Sequence, residues 1–179
     1  MNRARRGSGV EFNKMKKEVV AALTPVFDEL VKRLRAQEPC DDISKIPKQT
    51  GLYALSENGT YRYVGIAEKS LHGRVKDQVV RGSALAKKIA FEALLQSGRA
   101  LPRGKTAKVA SGDYQAARKN ALKRIAAMDV RFLIWDSGYG DYQDLLVFEM
   151  YAAAALEARY YDRLDKDPRP AGSIRKPAG

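Results

Sequence analysis

The sequence contains very little of the chemistry on which thiol enzymes and zinc enzymes depend. Its 179 residues include one cysteine, Cys40, and one histidine, His72. These counts exclude an intramolecular disulfide and a zinc cluster of cysteine and histidine ligands. No apolar run approaches the roughly 20 residues that a bilayer-spanning helix needs, and no apolar segment of the secretory type follows the basic N-terminus. We therefore expect no membrane partner and a cytoplasmic location.

Positive charge is what the sequence has in excess. The 33 Lys and Arg residues outnumber the 21 Asp and Glu residues, so the formal net charge is +12 at pH 7 and the pI is about 9.8. Lys and Arg side chains that neutralise phosphates release condensed counterions, which makes a chain this basic typical of proteins that bind a polyanion. The length suits one domain with a hydrophobic core, and nucleic acid is the expected partner.

The N-terminal third of the sequence predicts a helical extension. Residues 1–9 are basic and lack apolar residues in a periodic pattern, so we expect them to form an arm. A helical region from Glu11 to about Gln37 is predicted to break at Thr24-Pro25, because proline suits the first turn of a second helix. Arm and helices together make an N-terminal extension over residues 1–49.

The remainder predicts an α/β domain over residues 50–165. Two runs rich in Tyr, Leu and Val on either side of Asn58-Gly59 predict a β-hairpin across residues 50–66. A third strand is predicted over 130–135, as the most buried of the three. A helix is predicted over 70–80 with Ser70 as its cap, and Ser83 is expected to cap the next helix. The inner face of that second helix is predicted to carry Leu85, Ile89, Ala90 and Leu94. Further helices are predicted over 113–128 and from Asp141 to about Leu164, with a loop over 96–112. The fold class is therefore a small three-stranded mixed or antiparallel sheet flanked by helices, followed by a basic tail over 166–179.

One carboxylate falls on an apolar helix face. Glu149 is the only charged residue between Leu145 and Leu156, and the spacing of these residues and Ala152 puts all four on one stripe. An ionised carboxylate tolerates loss of water when it is paired, hydrogen-bonded or bound to a metal. Two interpretations follow: a structural ion pair with a neighbouring arginine, or a carboxylate that binds a metal or acts as a general base.

The hairpin and the two helices form an ordered set of motifs. The hairpin carries Gly51-Leu52-Tyr53 and Tyr63-Val64-Gly65, Arg74 follows on the next helix, and Glu149 comes after the third strand. In this order the residues resemble the GIY-YIG nuclease family over about residues 50–165. The resemblance implies that Tyr53, Tyr63, Arg74 and Glu149 are catalytic. It also implies that Glu149 binds a divalent metal, Mg²⁺ or Mn²⁺, and that Gly51 and Gly65 support the site.

The implied reaction is hydrolysis of a phosphodiester. It needs a positioned water, a cation at the charge of the phosphorane and stabilisation of the leaving oxygen. Glu149 would supply a hard oxygen ligand for the metal, and the planar fork of Arg74 would hold the scissile phosphate. The resemblance implies that Tyr53 orients or deprotonates the attacking water, with Tyr63 beside it; the sequence leaves these two roles open.

A shared site requires the rings of Tyr53 and Tyr63 to lie on one face of the hairpin. In a regular hairpin the residue numbers of every directly opposed pair have the same sum. Because 53 and 63 are both odd, the two tyrosines share a face only if that sum is even. A two-residue loop at Asn58-Gly59 gives an odd sum and opposite faces. A three-residue loop that begins at Glu57 gives an even sum and sets the two tyrosines directly across from each other. We therefore predict the three-residue loop, with Gly59 in the left-handed conformation.

Three positions depart from the family pattern. Gln78 stands one turn after Arg74, where the family often has His or Tyr, and it can hydrogen-bond but cannot act as an acid or a base. We therefore expect Gln78 to support the site. Ile66 stands where Lys is frequent, and Lys69 is the residue expected to reach the phosphate from the same loop. No asparagine follows the glutamate helix, since the last one is Asn120. These departures bear on activity more than on the fold.

A basic insertion at about 96–128 separates the arginine helix from the third strand. Its cationic side chains are the expected contacts to DNA phosphates: Arg99, Arg103, Lys105, Lys108, Arg118, Lys119 and Lys123. The alternative for any one of them is a solvated helix face. We expect a metal-dependent, site-specific endonuclease that cuts double-stranded DNA, because a module with its own basic elements resembles the restriction enzymes of this family, which cut as homodimers. Alternatives are a repair or mobile-element nuclease, a noncatalytic nucleic-acid binder that retains the fold, and an RNA-associated protein.

Overall fold

A computed structural model describes residues 8–82 and 84–160 of the chain. They form a three-stranded antiparallel sheet, ordered β2-β1-β3, between helices. The strands are β1 (Gly51–Glu57), β2 (Thr60–Ala67) and β3 (Asp129–Ile134). The helices are α1 (Ser8–Ala36), α2 (Leu71–Lys76), α3 (Ala84–Gln96), α4 (Gly104–Ala110), α5 (Gly112–Ala126) and α6 (Tyr142–Ala155). The predicted fold class, a small sheet flanked by helices with a helical N-terminal region, is confirmed.

β1 is the central strand, and its side chains alternate between two cores. Leu52 and Ala54 face a core made with α1 and α6, whereas Tyr53 and Leu55 face a core made with α2, α3 and α5. Six of the seven residues of β1 are buried in consequence. The first of the two hairpin motifs, Gly51-Leu52-Tyr53, therefore lies in the middle of the fold.

β3 is an edge strand, so its prediction as the most buried strand is wrong. Of its residues only Val130 is buried. The segment after α1 covers its outer edge: Gln37 Oε1 accepts a hydrogen bond from the Phe132 N–H at 2.8 Å, and the Cys40 N–H donates to the Val130 carbonyl at 2.7 Å. These contacts satisfy backbone groups that an open edge would offer to another chain.

α1 runs without interruption through Pro25, so the predicted break at Thr24-Pro25 is wrong. An internal proline removes one helical hydrogen bond and crowds the preceding turn. Burial of an apolar stripe against α6 and the sheet offsets that cost: Phe27, Leu30, Val31 and Leu34. Residues 8 and 9 of the expected arm belong to this helix, and the rest of the arm lies outside the described residues, as does the tail.

α6 ends at Ala155, earlier than the predicted end at Leu164. Glu157 has a left-handed backbone, with φ of 51°. Its N–H donates to the Ala154 carbonyl at 3.1 Å, and the Ala158 N–H donates to the Ala153 carbonyl at 2.9 Å. This pair of bonds is a Schellman motif, which satisfies the last carbonyls of the helix and turns the chain away.

The insertion is more helical than its sequence indicates. α4 occupies part of the segment predicted as loop, which is therefore wrong there, while Ser111 caps α5 close to its predicted start. α3 buries the predicted face, Leu85, Ile89, Ala90 and Leu94, and Ser83, its expected cap, lies outside the described residues. Over residues 8–82 and 84–160, no helix has both the length and the apolar character that crossing a membrane requires.

The hairpin turn has two residues, so the predicted three-residue loop is wrong. Asn58 and Gly59 both have positive φ, 52° and 75°, and Glu57 pairs directly with Thr60. Two consecutive residues with positive φ are typical of a type I′ turn, whose twist matches that of the strands it joins.

A β-bulge at Arg62 shifts the register of the hairpin by one residue. Tyr61 and Tyr63 pair with consecutive residues of β1, which leaves Arg62 as an extra residue of β2. A shift of one residue exchanges the two faces of a strand, so Tyr63 turns to the face that carries Tyr53. The shared face is confirmed. The expected direct pairing is wrong, because Tyr53 lies opposite Gly65.

Candidate active site

A cleft of about 470 Å³ lies between β2, α2 and α6. Four residues that the motifs single out line it: Tyr63 on β2, Lys69 in the loop that follows, Arg74 on α2 and Glu149 on α6. The fold thus brings a guanidinium, an ammonium, a phenol and a carboxylate to one opening, from three separate elements of the chain.

Glu149 is buried within the apolar face of α6, as its spacing predicts. The residue is 3% exposed, and Leu145, Ala152 and Leu156 on the same stripe are buried as well. The carboxylate nevertheless belongs to the wall of the cleft. A negative charge with so little access to water favours a cation beside it.

The start of α2 holds Arg74 in place. Ser70 is the N-cap, as predicted, and its Oγ accepts a hydrogen bond from the Gly73 N–H at 3.1 Å. His72 ties the same turn to the preceding segment, since its Nδ1 lies 2.9 Å from the Ile43 carbonyl oxygen. Arg74, one turn into the helix, is exposed and lines the cleft.

Tyr53 and Tyr63 form one aromatic pair, with ring centroids 5.8 Å apart. Both are buried, at 0% and 1% exposure. They differ in position, because Tyr63 lines the cleft and Tyr53 is not among its lining residues. The tyrosine expected to act on the attacking water therefore lies inside the core, behind its partner.

Gly51 and Gly65 lie where neighbouring atoms leave no room for a Cβ. A Cβ on Gly65 would lie 2.8 Å from Tyr63 Oη and 2.9 Å from Tyr53 Oη, so the hydroxyls converge above this residue. A Cβ on Gly51 would overlap the Leu133 carbonyl oxygen of β3 and lie 2.7 Å from a side-chain carbon of Leu71. Gly65 makes room for the tyrosine pair, and Gly51 lets β1 approach its neighbours.

Gln78 reaches both tyrosines from a π-helical turn. Residues Asp77–Gly82 continue α2 in this wider conformation, where the sequence predicts an ordinary helix. The side chain of Gln78 points inward and is 1% exposed. Its Nε2 lies 2.9 Å from Tyr53 Oη and 3.4 Å from Tyr63 Oη. The residue predicted as supporting thus contacts the pair directly.

Besides the helix cap Ser70, three residues with charged or polar side chains line the cleft without belonging to a motif: Glu68, Asp77 and Tyr142. Asp77 forms an ion pair with Arg81 at 3.3 Å. Tyr142 is the first residue of α6 and is 36% exposed. It precedes Glu149 by two helical turns, and this spacing is the sequence signal that could have identified it.

Several cationic residues of the insertion are engaged within the protein. Arg99 forms an ion pair with Asp113, and Arg118 Nη2 donates to the Arg81 carbonyl at 3.1 Å. Lys108 Nζ lies 5.5 Å from the centroid of the Phe91 ring. These contacts fix side chains that the sequence assigns to DNA phosphates.

The remaining cationic side chains of the insertion are exposed to solvent or lie outside the described part of the structure. Arg103, Lys119 and Lys123 are exposed, and the Lys105 side chain is not among those described. Among the described side chains, none of the predicted phosphate contacts in the insertion lines the cleft. The exposed charges of the insertion therefore lie outside the cleft.

Glu57 connects the hairpin turn to the insertion. Arg124 of α5 donates from Nε and Nη2 to its two carboxylate oxygens, at 2.6 Å and 2.5 Å, and Arg62 donates from Nε to the same carboxylate at 3.1 Å. The hydrogen bonds from Arg124 hold the pKa of the Glu57 carboxyl below its usual value, and Glu57 raises the pKa of Arg124. We refer to Glu57, Arg62 and Arg124 as the hairpin clamp.

The donor set of the cleft suits a cation that needs few protein ligands. Among the described residues, no group of three or more His, Cys, Asp or Glu side chains is arranged around a metal position. Mg²⁺ keeps several of its waters and needs only one or two carboxylates together with substrate phosphates, and Glu149 offers one.

No family model and no curated protein matches the sequence.

Proposed function

We propose that this protein is a metal-dependent endonuclease that hydrolyses phosphodiester bonds in double-stranded DNA. One observation carries the proposal: Arg74, Lys69 and the buried carboxylate Glu149 meet at a single cleft. Phosphodiester hydrolysis needs positive charge at the phosphate and an oxygen ligand for a divalent cation. The resemblance of the motifs to the GIY-YIG nucleases points to the same reaction.

Each residue of the cleft has a separate part in this proposal. Arg74 binds the scissile phosphate through its guanidinium fork, and Lys69 adds a second positive charge on the same side. Tyr63 is the phenol that meets the attacking water or a phosphate oxygen. Glu149 holds Mg²⁺ or Mn²⁺, and the bound cation would polarise the phosphate and stabilise the leaving oxygen.

DNA affinity comes from charge outside the cleft. The net charge of +12 and the exposed side chains of Arg103, Lys119 and Lys123 support phosphate contacts by the insertion. We extend the proposal to site-specific cutting of the restriction type, by a homodimer in the cytoplasm. Mapping of cleavage ends on defined DNA tests the specificity, and light scattering of the purified protein with and without DNA tests the dimer.

The first experiment measures cutting and binding in the same preparations. Supercoiled plasmid is incubated with wild-type protein and Mg²⁺ or Mn²⁺, and fluorescence anisotropy gives the affinity for duplex DNA. Wild type is expected to cut, while Glu149→Gln and Arg74→Ala lower the rate by roughly 10²-fold or more. Glu149→Gln retains the shape of the side chain and is expected to bind as wild type does. Glu38→Gln, at an exposed carboxylate outside the cleft, is the matched control.

A noncatalytic nucleic-acid binder is the second candidate, and the identity of Gln78 favours it. An amide cannot donate or accept a proton at neutral pH as His or Tyr can. Wild-type protein that binds duplex DNA but leaves it intact with every divalent metal would establish this candidate. Preference for RNA over duplex DNA in a competition assay would instead establish an RNA-associated protein.

A further inference from the structure

We infer that Gln78 is the positioning residue of the tyrosine pair: it donates one amide hydrogen to each phenol oxygen and thereby directs the Tyr63 hydroxyl to the cleft. The inference rests on the proposed function and deepens it. In this arrangement Tyr63 contacts the substrate, and Tyr53 supports Tyr63 from within the core. The sequence identifies neither this division nor the bond that enforces it.

The contacts of the amide carry the inference. Gln78 Nε2 lies 2.9 Å from Tyr53 Oη and 3.4 Å from Tyr63 Oη, and an amide nitrogen has two hydrogens, one for each oxygen. Both hydroxyls lie less than 3 Å from where a Cβ on Gly65 would be. A third polar group therefore meets them at the point where they converge, and the three side chains form one buried unit.

The orientation of the amide follows from the cost of unpaired groups. Gln78 Oε1 is buried and accepts no hydrogen bond among the described residues. With oxygen and nitrogen exchanged, two N–H donors would take the place of that single oxygen, and buried donors without partners are rarer in proteins than buried acceptors. The arrangement with Nε2 toward the tyrosines is therefore the favoured one.

A side chain that only filled space here would be apolar. Met or Leu would occupy a similar volume without burying an amide oxygen that lacks a partner. Gln78 also lies in a π-helical turn, a conformation frequent at functional sites, and the wider turn aims the residue inward. Both features cost stability, and both serve the two phenol oxygens.

The direction of donation separates the roles of the two tyrosines. A phenol oxygen that accepts a hydrogen bond keeps its own hydrogen for a different acceptor. Tyr63 lines the cleft, so of the two hydroxyls it is the one placed to meet a water or a phosphate oxygen there. Tyr53 is 0% exposed and acts through its contact with Gln78 and with the ring of Tyr63.

Two variants remove the donor in different ways. Gln78→Met keeps the length of the side chain without the amide, and Gln78→Asn keeps the amide but withdraws it by one methylene. Gln49→Met, at an exposed glutamine, is the control for the substitution itself. Melting temperatures identify the variants that fold, and if Gln78→Met does not fold, Gln78→Asn provides the test.

The first measurement is ultraviolet resonance Raman spectroscopy of tyrosine, whose Fermi doublet reports whether a phenol oxygen accepts or donates. Difference spectra against Tyr53→Phe and Tyr63→Phe isolate the pair. We expect the accepting contribution of both tyrosines to decrease in Gln78→Met and Gln78→Asn and to persist in Gln49→Met. A wild-type doublet in the folded Gln78 variants would overturn the inference.

The second measurement is steady-state cleavage with Mg²⁺. We expect kcat to fall about tenfold or more with KM for DNA changed by less than about twofold, because the misplaced phenol affects the reaction rather than binding. Unchanged kcat in a variant with an altered doublet would also overturn the inference. If wild type does not cut DNA, the proposed function fails, while the Raman comparison still decides whether Gln78 orients the hydroxyls.

Discussion

Arg124 donates to both carboxylate oxygens of Glu57, and this pair attaches the insertion to the turn of the hairpin. The two charges are on different elements, α5 and β1, whose residues are far apart in the sequence. The insertion is consequently held in a defined position relative to the strands that carry the tyrosines.

Removal of the charge in the hairpin clamp is expected to lower stability modestly. The Glu57 side chain is 23% exposed and that of Arg124 is 41% exposed, so solvent screens much of the attraction. We expect Glu57→Gln to lower the free energy of unfolding by about 1 kcal/mol or less, measured by urea denaturation. Glu29→Gln, which disrupts the more exposed pair with Arg33, is the control and is expected to cost less.

The same clamp makes stability depend on pH in a defined direction. The pKa of Glu57 is lower in the folded protein than its ordinary value, chiefly because Arg124 donates to it. Its contribution is therefore fully present above the ordinary carboxyl pKa and is lost as the pH falls through the lowered value. The difference in unfolding free energy between wild type and Glu57→Gln should be constant near neutrality and shrink in acid. A difference that grew in acid would contradict the assignment.

Gly65→Ala is expected to disturb the tyrosine pair. The added methyl group would meet both hydroxyls at less than 3 Å, and overpacking of this kind costs about 1–3 kcal/mol. Thermal unfolding measures the loss, and tyrosine fluorescence reports the displaced rings. Gly112→Ala places the same methyl group in open space, so this control should retain wild-type stability.

Exposed charges of the insertion are expected to govern the salt dependence of DNA binding. Lys119→Gln with Lys123→Gln removes two cations, and each phosphate contact contributes about 0.9 to the slope of log K against log salt concentration. Anisotropy titrations at several salt concentrations measure the slope. Lys32→Gln with Lys48→Gln removes two exposed cations elsewhere. A wild-type slope in the Lys119→Gln, Lys123→Gln variant would exclude these two side chains as DNA contacts.

Tyr142 is expected to contact the substrate at the mouth of the cleft. Its ring is partly exposed at the start of α6, and stacking of an aromatic ring on a base contributes about 1–3 kcal/mol. We expect Tyr142→Ala to raise KM for DNA about tenfold at unchanged melting temperature, and Tyr142→Phe to retain wild-type KM. A fall in kcat alone would place Tyr142 in the reaction instead.

Periodicity predicted those parts of the site that depend on local structure. The spacing around Glu149 placed it correctly on a buried helix face, since a helix repeats every 3.6 residues whatever surrounds it. Ser70 was correctly predicted as a cap, because its side chain needs only the next turn of the helix. In both cases the decisive contacts lie within a few residues of the chain.

The features that the sequence did not predict depend on distant contacts. The continuous α1 keeps Pro25 because residues of α6 and the sheet bury the stripe below it. Gln78 could not be assigned to the tyrosines, because the π-helical turn that aims it inward has no sequence signature. The bulge at Arg62 was missed for the same reason: it places Tyr61 and Tyr63 on opposite faces of β2, and nothing in the strand's sequence marks this break in the alternation.

The bulge is also held by contacts with residues that come much later in the chain. The Arg62 carbonyl oxygen accepts a hydrogen bond from the Tyr160 N–H at 2.9 Å, and the Arg62 guanidinium joins the clamp with Arg124. During synthesis the hairpin leaves the ribosome long before these two partners exist. A two-residue turn with regular pairing would set the tyrosines on opposite faces, so two of the contacts at the bulge that unites them come from later parts of the described chain. A chain truncated before Tyr160 would carry every motif residue, including Glu149. Its hairpin would nevertheless lack the hydrogen bond from the Tyr160 N–H to Arg62, one of the contacts that hold its register.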